Sequence, residues 1–99
     1  MKIKAEKVVT SVEVIENAVL YIDGGKITQI SQFDETIPDL TAKILMPGFV
    51  DIHCHGGNGS HFFDHETSAA SNSANFHLKH GTTSVIASFI AAPIPELKK

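Results

Sequence analysis

Arginine is missing altogether from the 99 residues, and all eight basic side chains are lysines. Without a guanidinium fork the chain has no bidentate reader of phosphate or guanine. No basic stripe gathers the lysines and the net charge is −3, so no nucleic-acid partner is expected. A single cysteine, Cys54, rules out an internal disulfide. The opening Met1-Lys2-Ile3-Lys4-Ala5-Glu6-Lys7 lacks the apolar core of a signal peptide, and no apolar run approaches membrane-spanning length. Repeats and low-complexity segments are absent as well. With 42% hydrophobic and 19% charged residues, the composition is that of a globular chain rather than a disordered one. The expectation is a soluble, cytoplasmic protein of at most one small domain, with no membrane partner.

The first half is rich in Val and Ile. Residues 3–10 and 12–22 read as strands, and Asp23-Gly24-Gly25 is a strong turn signal. Lys26-Ile27-Thr28-Gln29-Ile30-Ser31 alternates polar and apolar, which predicts a half-buried strand and a hairpin across that turn. Residues 32–41 read as a polar loop containing Pro38, and the short apolar run 42–46 is stopped by Pro47-Gly48.

The second half changes character. Residues 49–55 and 82–90 are almost continuously apolar, which predicts strands covered on both faces. Residues 66–80 between them read as a helix, with Asp64 or Thr67 as N-cap and Gly81 just past its end. Ala69, Ala70, Ser73, Ala74, His77 and Leu78 form its inner stripe. Strand, helix, strand predicts a parallel βαβ unit with a right-handed crossover. Pro93 and Pro95 break the chain afterwards, and Glu96-Leu97-Lys98-Lys99 reads as the start of another helix. A parallel pair with one covering helix leaves apolar faces open. The chain therefore reads as the front end of a larger α/β protein, and its unpaired strand edges predict swapping or homo-oligomerisation.

The chemistry gathers in Pro47-Gly48-Phe49-Val50-Asp51-Ile52-His53-Cys54-His55-Gly56-Gly57. Side chains alternate along a strand, so Asp51, His53 and His55 share one face and Val50, Ile52 and Cys54 the other. Two imidazoles at a strand end, followed by a glycine loop, suit a zinc or transition-metal site that needs further ligands. Asp51 reads as a residue that holds the strand end or orients a ligand histidine, with a catalytic role as the alternative. Cys54, pointing away from the histidines, reads as a small buried hydrophobe. Gly56, Gly57 and Gly59 either turn the chain sharply or cradle a substrate phosphate through main-chain N–H groups. His61, His65, His77 and His80 read as surface or helix-end residues, His80 at a helix C-terminus where positive charge is favoured.

The run from Pro47 to Gly57 resembles the first barrel strand of the amidohydrolase superfamily, whose signature is Pro-Gly, an apolar pair, Asp, an apolar residue and His-X-His. Its continuation through Asn58-Gly59-Ser60-His61-Phe62-Phe63-Asp64 resembles the N-acetylglucosamine-6-phosphate deacetylase family. His80-Gly81-Thr82-Thr83-Ser84 is similar to that family's entry to the second barrel strand. The hairpin around Asp23-Gly24-Gly25-Lys26-Ile27 resembles the small β-sandwich that precedes the barrel.

The resemblance implies an α/β fold in which residues 1–48 belong to that β-sandwich. Residues 49–99 would begin a TIM-like (β/α)8 barrel that is incomplete in this chain. It implies that His53 and His55 bind a divalent metal (zinc, iron, manganese or cobalt) at the barrel mouth, with Phe62 and Phe63 packing the loop there. The other ligands, a Glu and two His, and a carboxylate general base from a late strand would lie beyond Lys99. Asp51 would act behind the ligands, and Gly56 and Gly57 would meet substrate. The implied reaction converts N-acetylglucosamine 6-phosphate and water to glucosamine 6-phosphate and acetate, which makes a small amino sugar phosphate the expected partner. With the ligand set incomplete, the 99 residues alone are expected to be inactive. One departure concerns Ile86-Ala87-Ser88, where family members often have Leu-Pro-Thr, and it leaves the exact sugar open. The alternatives are another amidohydrolase, such as a cyclic-amide hydrolase or a deaminase, or a non-catalytic short protein that binds metal or a partner.

Overall fold

Gly24 and Gly25 take φ of +54° and +75°, the two positive values that a tight type I′ hairpin turn demands. They join β2 (Val14–Asp23) to β3 (Lys26–Gln32), which run antiparallel with Leu20 opposite Ile30. The computed structural model describes residues 1–98 and divides into two compact units, Met1–Pro47 and a second from Gly48 onward. In the first, β1 (Lys2–Val9) pairs antiparallel with β2, and β4 (Leu40–Leu45) runs parallel on its other side, giving the order β3-β2-β1-β4.

The core of this unit is Ala5, Val8, Ala18 and Leu20, with Ile15, Ala42 and Leu45 packed against it. Ala5 and Val8 stand three apart, a spacing that strict alternation would send to opposite faces. The β1–β2 pairing is interrupted at Glu6 and Asn17, where Asn17 takes φ +50°, and this irregularity brings both into one core. The polar loop ends earlier than expected, at Asp39, whose carboxylate accepts the Lys2 N–H at 2.7 Å beside the start of β4. β3 departs from the half-buried expectation. It is an edge strand, and its Ile27 and Ile30 are exposed because they line an open depression on the sheet face.

The second unit has the expected order of strand, helix and strand. β5 (Phe49–Cys54) and β8 (Thr82–Ala87) are parallel neighbours, separated in the chain by α1 (Thr67–Lys79). Gly48 lies where a Cβ would come within 2.2 Å of Thr83 Cγ2, so the approach to the pair depends on a bare backbone there. Between β5 and α1 the chain folds a small hairpin, β6 (Gly56–Gly57) and β7 (Ser60–His61), turned at Asn58 and Gly59 with φ of +53° and +78°. α1 buries Ala69 and Ser73 and contacts β6, β7 and β8. The strands are not covered on both faces within the unit: Val50 and Ile52 are 67% and 73% exposed. A short α2 (Ile94–Leu97) follows Pro93, beginning two residues ahead of the expected helix. The chain is thus mixed α/β and mostly strand. No helix among the described residues is long and apolar enough to cross a membrane.

Candidate metal site

β5 stops at Cys54, and His55 is the first residue past it. The two histidines still converge: His53 Nε2 and His55 Nε2 lie 3.0 Å apart, with the rings edge to face and centroids 5.0 Å apart. Both are exposed. This is a hydrogen-bonding distance between two ring nitrogens. It also suits two ligands of one ion, since nitrogens 3.0 Å apart subtend roughly 95° at a metal about 2.0–2.1 Å from each. The pair therefore fits two adjacent positions in a coordination shell. No group of three or more His, Cys, Asp or Glu able to hold a metal occurs among the described residues, and a catalytic zinc typically takes three protein ligands.

Three hydrogen bonds, one to a side chain and two between main-chain groups, fix the segment. Asp51 Oδ1 accepts the N–H of His53 at 3.1 Å, so this carboxylate braces the main chain ahead of the pair rather than an imidazole. Ser88 N–H donates to Cys54 O at 2.8 Å, tying the exit of β8 to the end of β5. Phe62 N–H donates to His55 O, also at 2.8 Å, closing the small hairpin back on the site.

The chain is similar to the N-acetylglucosamine-6-phosphate deacetylase of Bacillus subtilis (strain 168), 34% identical over 94 residues that make up 89% of this chain and 24% of that protein. Its fold is similar to the crystal structure of N-acetyl-D-glucosamine-6-phosphate deacetylase from Mycobacterium smegmatis, with TM-score 0.88 and 27% identity over 98% of this chain and 29% of that one. A mutant of the same enzyme in complex with N-acetyl-D-glucosamine-6-phosphate matches with TM-score 0.86, again at 27% identity over 98% of this chain and 26% of that one. A second curated relative, from Vibrio furnissii, also bears the name N-acetylglucosamine-6-phosphate deacetylase and is 27% identical over 101 residues, 96% of this chain and 25% of that protein. An imidazolonepropionase of Thermoplasma volcanium is 42% identical over 60 residues, 54% of this chain and 15% of that protein. No family model matches the chain. It spans about a quarter of the length of the deacetylases it matches.

Beside His55 a depression of about 240 Å³ is lined by His55, His61, Phe63, Asp64, Ser88 and Ile90. The lining mixes an aromatic and an aliphatic side chain with a hydroxyl, a carboxylate and two imidazoles, and is able to seat a small polar molecule with an apolar group. Asp64, one of the two expected helix caps, is used here instead: Oδ2 accepts the His61 N–H at 2.7 Å. Glu66 is the N-cap residue of α1, and its side chain makes no capping bond.

Two residues behind the histidine pair behave differently from the sequence expectation. His77 is half-buried rather than on the surface, with Nε2 2.9 Å from Gly56 O and 3.3 Å from Cys54 Sγ. Cys54 is buried as expected, yet it faces polar partners, with Gly56 O also 3.5 Å from its thiol. The signal for His77 lay in its place on the helix stripe four residues after Ser73, both on the face that packs. The β6–β7 hairpin was signalled by Asn58-Gly59, the dipeptide that best fits two positive φ angles. A Cβ on Gly56 would stand 2.1 Å from Ser60 O, and one on Gly57 would stand 2.8 Å from His77 Nε2. Both glycines thus permit close main-chain packing. His80 is at the helix end as expected, its Nδ1–H donating to Phe76 O at 2.9 Å.

Proposed function

We propose that this chain carries part of the active site of a metal-dependent amide hydrolase that converts N-acetylglucosamine 6-phosphate and water to glucosamine 6-phosphate and acetate. The observation that carries the reading is the convergence of His53 and His55, 3.0 Å apart at the end of β5, in a chain 34% identical to such a deacetylase. His53 and His55 would hold a divalent metal, with zinc, iron, manganese and cobalt all compatible with imidazole ligands. Bound there, the metal supplies Lewis acidity and lowers the pKa of a water ligand.

The chain's own residues bind and orient. Asp51 holds the main chain of His53, and the depression beside His55 receives the sugar's acetamido group, its methyl against Phe63 and Ile90. Further ligands and the general base that moves the proton to the departing amine belong to sequence beyond Lys99, so the 99 residues alone are inactive in this reading. The four-stranded sheet is then part of a β-sandwich, and the β5–α1–β8 unit opens a TIM-like barrel. The parent enzyme is cytoplasmic and a homo-oligomer. A second reading, hydrolysis by another amidohydrolase, is favoured by the match to imidazolonepropionase.

The test is acetate release from N-acetylglucosamine 6-phosphate by the longest natural polypeptide carrying this chain, supplied with divalent metal. The His53→Ala, His55→Ala double variant is expected to lose activity by about two orders of magnitude or more. An inactive metal-loaded wild type sends the assignment to the second reading, and undiminished activity in the variant removes the metal role from this pair.

A further inference from the structure

Helix α1 turns two polar side chains toward the segment that follows the histidine pair. Ser73 is fully buried and its Oγ donates to Ser60 O at 3.1 Å. One turn later, His77 Nε2 lies 2.9 Å from Gly56 O. A carbonyl oxygen only accepts, so the ring proton of His77 resides on Nε2 and is committed to that oxygen. The Cys54 thiol, 3.3 Å from the same nitrogen, is left to direct its own weak donor at Gly56 O. Closeness is built into the backbone as well, because any Cβ at Gly57 would collide with the His77 ring.

We propose that His77 is a positioning residue for the histidine pair. By holding the carbonyl of Gly56, the residue directly after His55, it fixes the main chain on one side of the pair. Asp51 fixes the other side through the His53 N–H. Two braces from separate elements, α1 and β5, then set the approach of the two Nε2 atoms. The β6–β7 hairpin already pairs Gly56 with His61, and the His77 bond adds a tie from α1 at a glycine whose own φ and ψ are otherwise soft. The inference rests on reading His53 and His55 as metal ligands; partners bonded directly to a ligand typically change metal affinity by about 10- to 100-fold, and a brace on the residue next to a ligand belongs at the low end of that range.

The experiment measures zinc affinity by competition with a chromophoric chelator, in the longest natural polypeptide carrying this chain. Wild type is compared with His77→Leu, His77→Gln, His77→Asn and the His53→Ala, His55→Ala pair, with melting of each metal-free form recorded alongside. His77→Leu is expected to bind zinc about 10-fold more weakly, the low end of the range for partners that bond a ligand directly. His77→Gln, whose amide N–H reaches Gly56 O, restores most of that affinity, whereas the shorter His77→Asn does not. Equal affinities in wild type and His77→Leu overturn the inference, as do equal losses in the Gln and Asn variants, which indicate packing alone. Should His77→Leu fail to fold, the Gln–Asn comparison decides. Zinc affinity that survives His53→Ala, His55→Ala refutes the ligand assignment itself, and the inference falls with it.

Discussion

At the scale of single residues, the strongest electrostatic feature is Asp34, in the loop after β3. The Thr36 hydroxyl, the Tyr21 hydroxyl and the Thr36 N–H all donate to its carboxylate, the last at 2.8 Å. These donors favour the charged form and lower its pKa from 3.8 to about 2. The folded value lies below the unfolded one, so the associated stability is present above pH 3.8 and is lost as pH falls toward about 2. In urea titrations across that window, wild type is expected to lose more stability than Asp34→Asn; parallel curves for the two proteins would show that the hydroxyl cluster does not form. Half of this arrangement was legible, since Asp34-x-Thr36 is a local turn pattern. Tyr21, thirteen residues earlier, meets Asp34 only because the β2–β3 hairpin brings them together. The place of His77 on the inner stripe of α1 was legible, but its partners Cys54 and Gly56 were not, for the same reason, since they lie more than twenty residues away. His53 and His55 were legible because an i, i+2 spacing on a strand is a purely local instruction.

Element boundaries followed local chemistry closely. β2, β3, β5 and α1 start or stop within two residues of the expected positions, at glycine turns, Pro47-Gly48 and Gly81. The parallel pairing of β4 with β1 was not legible, because register between distant strands is written in the burial of both rather than in either one. Helix α1 also shows a local signal that the fold overrode. Asp64 was an available cap, but the turn that leaves β7 takes its carboxylate, and Glu66 is left at the N-cap without a side-chain bond. Its backbone angles, φ −79° and ψ 126°, are already those of a capping residue. Glu66→Ser is therefore expected to stabilise the protein by roughly 0.5–1 kcal/mol, read as a higher urea midpoint with unchanged slope. No gain would mean that the extended Glu66 carboxylate already serves the helix N-terminus through its charge.

At the scale of the whole molecule, exposed apolar side chains dominate the account. Phe49, Val50, Ile52 and Ile86 stand open on the parallel pair, and Ile27, Leu40 and Ile44 on the four-stranded sheet. A depression of about 440 Å³ on that sheet is lined almost wholly by aliphatic side chains, among them Ile3, Leu20, Ile22 and Ile27. Parallel strands are ordinarily buried on both faces, and an apolar strand left uncovered pairs with whatever reaches it. The 99-residue polypeptide on its own is therefore expected to associate, with a light-scattering mass well above the 10.7 kDa of one chain. Lysine at two of the exposed positions, Val50→Lys and Ile52→Lys, should reduce that mass, because charge on an open strand blocks pairing. In a longer polypeptide that covers this face, the same pair should instead destabilise the fold, since a buried ammonium without a partner costs several kcal/mol. Opposite signs in the two settings would show that the face is meant to be covered. A monodisperse 10.7 kDa monomer that melts cooperatively, and is indifferent to both lysines, would show that this sheet needs no cover at all.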